Sequence, residues 1–168
     1  MRLVNVVFMI LLTISLICMS LPASAQEKIV GNYSINFGII SWEQIQRGFG
    51  EKPATHTEEY HLKMAREMAR MHGGGKKGTY HILVVIDDKR TGQRIDKADV
   101  RVTILPEFAI RGEPMKLQPM TMNGYAGFGE FVKFRSSGRR IFKIFFRLSE
   151  KEEFKEVDFI KEIDEYVH

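Results

Sequence analysis

The residues of this 168-residue chain best suited to chemistry are methionines and histidines, and they are grouped. Six of the nine methionines follow residue 25, in two groups: Met64, Met68 and Met71, then Met115, Met120 and Met122. Four of the five histidines, His56, His61, His72 and His81, lie between residues 56 and 81, on either side of the first group. Thioether and imidazole are soft donors that suit Cu(I). The pattern predicts a copper site formed by a subset of His61, Met64, Met68, Met71, His72, Met120 and Met122.

Core packing is the competing explanation for these methionines. Methionine is unbranched and fills irregular gaps, and a helix needs an apolar stripe in order to dock. A helix that carries the first group would have only Leu62, Ala65 and Ala69 to pack if its methionines were removed. We interpret His81, at the start of an apolar strand, as a half-buried structural residue. The second hypothesis is therefore an exported structural or protein-interaction module that binds no metal.

Other residue patterns do not predict an active site. Asp87 and Asp88, with Asp96 and Asp99, lack the regular alternation of a Ca²⁺ loop, which favours a solvated turn. The glycine and lysine run at 73–78 precedes a strand, whereas phosphate-binding loops follow one. No Ser, His and Asp arrangement has a recognisable nucleophile setting. We expect a protein that is not an enzyme.

A helix predicted over 56–72 would bring the first methionine group into line. Thr55 and Glu58 have capping-box spacing, and three glycines follow at 73–75. Spacings of three and four residues place the His and Met side chains on one stripe. Ser41 and Gln44 form a second capping box, which predicts a short helix whose Trp42 tucks against the main body.

An apolar strand over 80–86 organises the rest of the chain. Tyr80, Ile82, Val84 and Ile86 share one face, and the other face, with His81, Leu83 and Val85, is also apolar. Such a strand needs two covers, and we expect a second sheet on one side and the 56–72 helix on the other. Alternating segments follow, with a glycine-bearing loop at 119–127 and a hairpin turn at 136–138. The fold class predicted is mainly β: an antiparallel Ig-like β-sandwich with one N-terminal amphipathic α-helix packed on it.

The first 25 residues have the form of a secretory signal peptide. Arg2 precedes an apolar run from Leu3 to Leu21, and an Ala-x-Ala site ends at Ala25. An uncleaved membrane anchor is the alternative. We divide the remainder into an N-terminal segment 26–78, with a short strand at the sheet edge and the helix 56–72, a sandwich 79–160 and a tail 161–168. The end of the chain fits either a strand through Val157 and Phe159 or a helix.

Charge and cysteine content limit the partners. The net charge of +4 is weakly basic, and export argues against nucleic acid. The only cysteine, Cys18, lies in the N-terminal apolar run, so we expect neither disulfides nor thiolate chemistry after cleavage. We expect a periplasmic protein, with an extracellular location as the alternative. It would contact membrane only through the uncleaved signal peptide. An envelope protein partner would dock on the exposed sheet or on a basic patch of Arg135, Arg139 and Arg140; the alternative role for these arginines is to keep the sheet edge soluble.

Two stretches resemble known exported domains. Residues 91–100 resemble the T-G-x-x-I-x-x-A-x-V connection of bacterial Ig-like exported domains. Residues 117–122, followed by a glycine-rich loop and an aromatic strand, resemble small periplasmic domains of the YtkA-like and CopC-like type. The resemblance extends from 79 to 148 and implies an Ig-like sandwich and, for the CopC-like group, periplasmic copper binding. This chain has no histidine near Gln26, where CopC-like proteins place a ligand, so their Cu(II) site is not expected.

Overall fold

A computed structural model of the chain describes residues 26–47, 59, 63, 65–67, 69, 70, 75–122 and 125–163. The predicted signal peptide lies outside these residues. The strands are β1 Gln26–Val30, β2 Tyr33–Ser41, β3 Thr79–Asp88, β4 Gln93–Arg94, β5 Asp99–Pro106, β6 Met115–Lys116, β7 Gln118–Met122, β8 Tyr125–Lys133, β9 Gly138–Arg147 and β10 Lys155–Ile163. Helix α1, Trp42–Arg47, follows β2. In the part of the chain so described, no helix is long and apolar enough to cross a membrane.

Two antiparallel sheets pack face to face, which confirms the predicted β-sandwich. Sheet A has the order β1-β2-β3-β8-β7, with β4 paired to β3, and sheet B has the order β10-β9-β5-β6. Phe37 of β2 is fully buried between them, its ring 4.9 Å from that of Phe142 and 5.0 Å from that of Phe159. Because the three rings come from both sheets, they join the two layers.

The two faces of β3 are as predicted. Ile82, Val84 and Ile86 lie in the core between the sheets. His81, Leu83 and Val85 point to the outer face of sheet A and are also buried. Leu83 and Val85 belong to a second, smaller apolar cluster on that face. The strand is therefore covered on both sides.

The sandwich extends beyond the predicted limits of 79 and 160. The β1-β2 hairpin lies beside β3, with Phe37 opposite Val84, so β2 is an inner strand and β1 is the edge. Of the two alternatives for the tail, the strand is correct, and β10 continues to Ile163. Its alternate residues Val157 and Phe159 are buried against the core.

The predicted hairpin turn at 136–138 is wrong. β8 pairs with β3 in sheet A, whereas β9 pairs with β5 in sheet B, so the segment crosses between sheets. Arg140 braces this crossover, because its Nη2 donates to the carbonyl oxygen and to Oγ of Ser136, each at 2.8 Å. The turn residues are compatible with both arrangements, and strand pairing decides between them.

The predicted loop at 119–127 is also corrected, because residues 118–122 form β7 at the edge of sheet A. The chain leaves sheet B after β6 and enters sheet A at the buried Leu117, whose N–H donates to the carbonyl of Val100 at 2.9 Å. Pro119 is tolerated in this strand because an edge position leaves one side of the backbone unpaired.

The capping box predicted at α1 is confirmed. The backbone N–H of Ser41 donates to Oε1 of Gln44 at 2.9 Å, and the backbone N–H of Gln44 donates to Oγ of Ser41 at 3.1 Å. Each side chain therefore satisfies a donor that the first helical turn leaves without an intrahelical partner.

The variant Ser41→Ala is expected to lower the free energy of unfolding by about 0.5–2 kcal/mol, because it removes the acceptor at the start of α1. Urea unfolding followed by circular dichroism measures the change. The control is Ser137→Ala at an exposed position, where a change within about 0.5 kcal/mol is expected. Equal losses in both variants would contradict a capping role for Ser41.

Candidate metal centre

Among the seven predicted metal ligands, Met120 has a described side chain. His61, Met64, Met68, Met71 and His72 lie outside the described residues, as does the side chain of Met122. Met120 is 4% exposed and packs with Leu83, Val85 and Phe131 on the outer face of sheet A. The second methionine group thus contributes a buried thioether on a strand, instead of one in a loop.

His81 lies beside this thioether, over Gly129 of β8. A Cβ atom at Gly129 would be 2.7 Å from Cε of Met120 and 2.9 Å from Nε2 of His81. The two side chains therefore converge on the same point, and only a glycine leaves room for both. His81 is 1% exposed, so our interpretation of it as half-buried is wrong.

Strand register produces this convergence. His81 is paired with Phe131, and Leu83 with Gly129, across β3 and β8. On the other side of β8, Met120 is paired with Gly127. Because alternate residues share a face, two glycines of β8 form a shallow trough, which Met120 borders from one side and β3 from the other.

An aromatic contact chain covers the imidazole. The ring of Phe131 lies 4.9 Å from that of His81, edge to face, and Trp42 of α1 lies 6.1 Å from Phe131 in the same manner. A Cβ atom at Gly75 would lie within 2.5 Å of three carbons of the Trp42 ring, so the chain passes closely over the indole. The prediction that Trp42 packs against the main body is confirmed.

Described residues of the predicted 56–72 helix lie next to α1. Its described residues, 59, 63, 65–67, 69 and 70, are helical. Arg66 donates from Nη2 to the carbonyl oxygen of Ile45 at 3.3 Å, and Ala65, on the predicted His and Met stripe, is fully buried. These contacts agree with a helix whose stripe faces the protein.

The donor set at this position is one imidazole nitrogen and one thioether sulfur in apolar surroundings. Within the described ranges no group of three or more His, Cys, Asp or Glu residues is placed to hold a metal ion. Structural Zn²⁺ takes four ligands, usually Cys or His, and Ca²⁺ takes six or more oxygens. The pair of His81 and Met120 instead has the soft character that suits Cu(I).

The two carboxylates at the end of β3, Asp87 and Asp88, have a structural role. Asp87 accepts from Nε of Arg94 at 2.9 Å, and Asp88 accepts from the backbone N–H of Arg90 at 2.8 Å. That backbone hydrogen bond, with the Arg90 guanidinium, lowers the pKa of Asp88. Gly92 closes the turn in the left-handed region, with φ of 69°. Both aspartates belong to β3, and Asp88 is buried, so the solvated turn expected from the sequence is corrected: they are ion-paired residues at the end of the strand.

Sequence reasoning placed Met120 in the site but missed His81. Two signals were present in the chain: a histidine on a strand face whose other members are aliphatic, and glycines at two alternate positions, 127 and 129, of an aromatic strand. Neither signal identifies the cross-strand register that brings Gly129 between His81 and Met120.

No protein-family profile and no curated protein sequence matches the chain. Solved structures do match it. A DUF4426 family protein from Pseudomonas aeruginosa PAO1 has a TM-score of 0.58 and 16% identity, over 84% of this chain and 95% of that chain. A copper-bound variant of FetP from uropathogenic Escherichia coli strain F11 has a TM-score of 0.53 and 10% identity, over 86% and 97%.

The copper-reconstituted P19 protein from Campylobacter jejuni has a TM-score of 0.52 and 10% identity, over 86% of this chain and 96% of that chain. At these identities the similarity is one of fold. The chain is therefore similar in architecture to two proteins whose structures contain copper.

Proposed function

We propose that this chain is an exported, non-enzymatic protein that binds Cu(I) as a cargo and takes part in periplasmic copper handling. The observation that carries the proposal is the approach of Nε2 of His81 and the Cε methyl of Met120 to one point over Gly129, at 2.9 Å and 2.7 Å from where a Cβ atom would lie. Copper-bound structures of FetP and P19, which have the same fold, support it. The predicted signal peptide and the expression of recombinant FetP in the periplasm of E. coli support the location.

The surroundings favour the monovalent ion. Leu83, Val85 and Phe131 pack around Met120, so the described side chains in contact with it are apolar. The cost of burying a charge in an apolar site rises with that charge, so an uncompensated divalent ion is more costly there than a monovalent one. A thioether also binds Cu(I) without losing a proton, whereas a thiol must be deprotonated.

Further ligands are proposed to come from the predicted stripe, His61, Met64, Met68, Met71 and His72, and from Met122. The support is a chain of described contacts that leads towards the 56–72 helix. His81 touches Phe131, Phe131 touches Trp42 of α1, and Ile45 of α1 accepts a hydrogen bond from Arg66 of that helix. A helix docked there would supply its thioethers to the same face of sheet A.

The test is anaerobic Cu(I) titration of the protein recovered from the periplasm, against a chromogenic chelator that competes for the ion. We expect one high-affinity equivalent, and weak binding of Zn²⁺ under the same conditions. Trp42 is the only tryptophan and is two ring contacts from His81, so its fluorescence should change with the same stoichiometry.

The matched control for the fluorescence readout is Trp42→Phe, which should retain Cu(I) binding by chelator competition but give no optical signal. If the chelator retains all the copper, or if Zn²⁺ binds as tightly as Cu(I), the proposal is wrong. The hypothesis of a metal-free interaction module would then be favoured.

A further inference from the structure

The loop between β5 and β6 carries the two most exposed large apolar side chains of the described chain. Phe108 and Ile110 are each 92% exposed, whereas the apolar residues of the strands on either side are largely buried. We name these two side chains the apolar tip. The other exposed large apolar side chains of the described residues, Ile29 and Ile160, are only 59% and 43% exposed.

The loop that carries the apolar tip contacts sheet B near both of its ends. The N–H of Ala109 donates to the carbonyl of Pro106 at 3.0 Å, which closes a turn around Phe108. Glu107 forms an ion pair with Arg139 of β9 at 3.0 Å. Farther along, Gly112 lies so close to sheet B that a Cβ atom there would be 2.9 Å from Cγ2 of Thr103. The tip therefore projects from a loop that is attached to the sheet on both sides.

Positive charge surrounds the tip. We define the basic rim as Arg111, Arg135, Arg139 and Arg140, which lie in the loop, in the adjacent crossover and at the start of β9. Glu107 and Glu113 are the acidic residues of the loop, and Glu107 is already paired with Arg139. Among the described residues, no ion pair engages Arg111 or Arg135, so their charge faces solvent.

We propose that the apolar tip and the basic rim form a docking site for an anionic lipid surface. A protein partner of ordinary affinity needs a contiguous contact area of several hundred Å², whereas this site consists of two isolated protruding side chains. Apolar side chains that insert at the level of the headgroups, with arginines beside them, match the chemistry of an anionic bilayer. The site is separate from the proposed copper centre, which lies on the outer face of sheet A.

The test is co-sedimentation of the periplasmic protein with phosphatidylcholine vesicles that contain about a quarter phosphatidylglycerol. The double variant Phe108→Ser, Ile110→Ser should partition at least about tenfold more weakly, because two large apolar side chains no longer insert. The double variant Arg111→Gln, Arg135→Gln should bind these vesicles about 25-fold more weakly, since each rim arginine near an anionic surface contributes about fivefold. Neither change touches the core, so thermal unfolding midpoints should be the same as in the wild type.

The matched control is Ile29→Ser, which removes a side chain that is 59% exposed on the edge strand β1. It should retain vesicle binding. All variants carry the same N-terminus, so a contribution from that end cancels in the comparison. Binding that is unchanged in the Phe108 and Ile110 variant, or equally strong on pure phosphatidylcholine, overturns the proposal. So does sedimentation velocity that shows self-association abolished by the same variant without any lipid binding, because a second copy would then occupy the tip.

Discussion

The double variant His81→Leu, Met120→Leu is expected to bind Cu(I) at least about 100-fold more weakly than the wild-type protein, and to remain folded. Loss of groups that merely orient a ligand already reduces metal affinity about 10- to 100-fold, so loss of two donors should cost more. Leucine keeps the apolar volume near Leu83, Val85 and Phe131, and volume-conserving exchanges in a core usually cost less than about 1.5 kcal/mol. Chelator competition and urea unfolding measure the two quantities separately.

A control variant at another methionine and a triple variant on the predicted helix test which residues bind the copper. Met115→Leu is the control, because Met115 is a described methionine that packs against the core between the sheets, away from His81. It should bind copper as the wild type does. A triple exchange of Met64, Met68 and Met71 to leucine tests the proposed stripe ligands. If His81→Leu, Met120→Leu binds normally while the triple variant does not, the centre lies on the helix alone and the assignment of His81 is wrong.

Local patterns in the sequence predicted much of the fold. The apolar run of β3 predicted that both of its faces are buried, and the capping box of Ser41 and Gln44 predicted the start of α1. These features depend on residues close together in the chain. The pairing of strands depends instead on residues that are far apart in the chain. The connections at 119–127 and 136–138 were mispredicted because a Pro or Gly signals a change of direction without indicating which sheet follows.

The same limit applies to the candidate site. Met120 was predicted from its residue type, since a thioether near a histidine group indicates a soft metal. His81 was set aside because a lone histidine in an apolar strand is usually structural. Its position beside Met120 depends on the pairing of Leu83 with Gly129 and of Met120 with Gly127, two contacts between strands that are distant in sequence.

Two arginines of the basic rim, Arg139 and Arg140, make contacts that hold the structure around them. Charge reversal at Arg139 and Arg140 would be the direct test of the basic patch predicted to meet an envelope partner. In the structure Arg139 pairs with Glu107, and Arg140 holds the crossover through Ser136. Reversing either charge would disturb these contacts, so loss of a partner could follow from altered structure. Arg111 and Arg135, which are exposed and lie outside such contacts in the described ranges, are the suitable positions.

Gly129→Ala is expected to impair stability and copper binding together. The added Cβ would lie 2.7 Å from the carbonyl oxygen of Ile82, 2.7 Å from Cε of Met120 and 2.9 Å from Nε2 of His81. Side chains can rotate away, but the Ile82 carbonyl belongs to the β3 backbone and cannot move without disturbing the strand. Overpacking of this kind costs about 1–3 kcal/mol, measurable by urea unfolding. Displacement of His81 and Met120 should lower Cu(I) affinity at least about tenfold by chelator competition.

Gly31→Ala separates these two effects. Gly31 lies in the β1-β2 turn with φ of 58°, and a Cβ there would meet no atom within 4 Å. Alanine in this left-handed conformation costs about 1–2 kcal/mol, so the variant should be destabilised to a similar extent. Because the turn does not touch the proposed copper centre, the Cu(I) affinity of this variant should equal that of the wild type. Equal affinity losses in both variants would mean that copper binding reports general stability. A loss confined to Gly129→Ala would support the close approach of His81 and Met120 over the glycine as the determinant of the site.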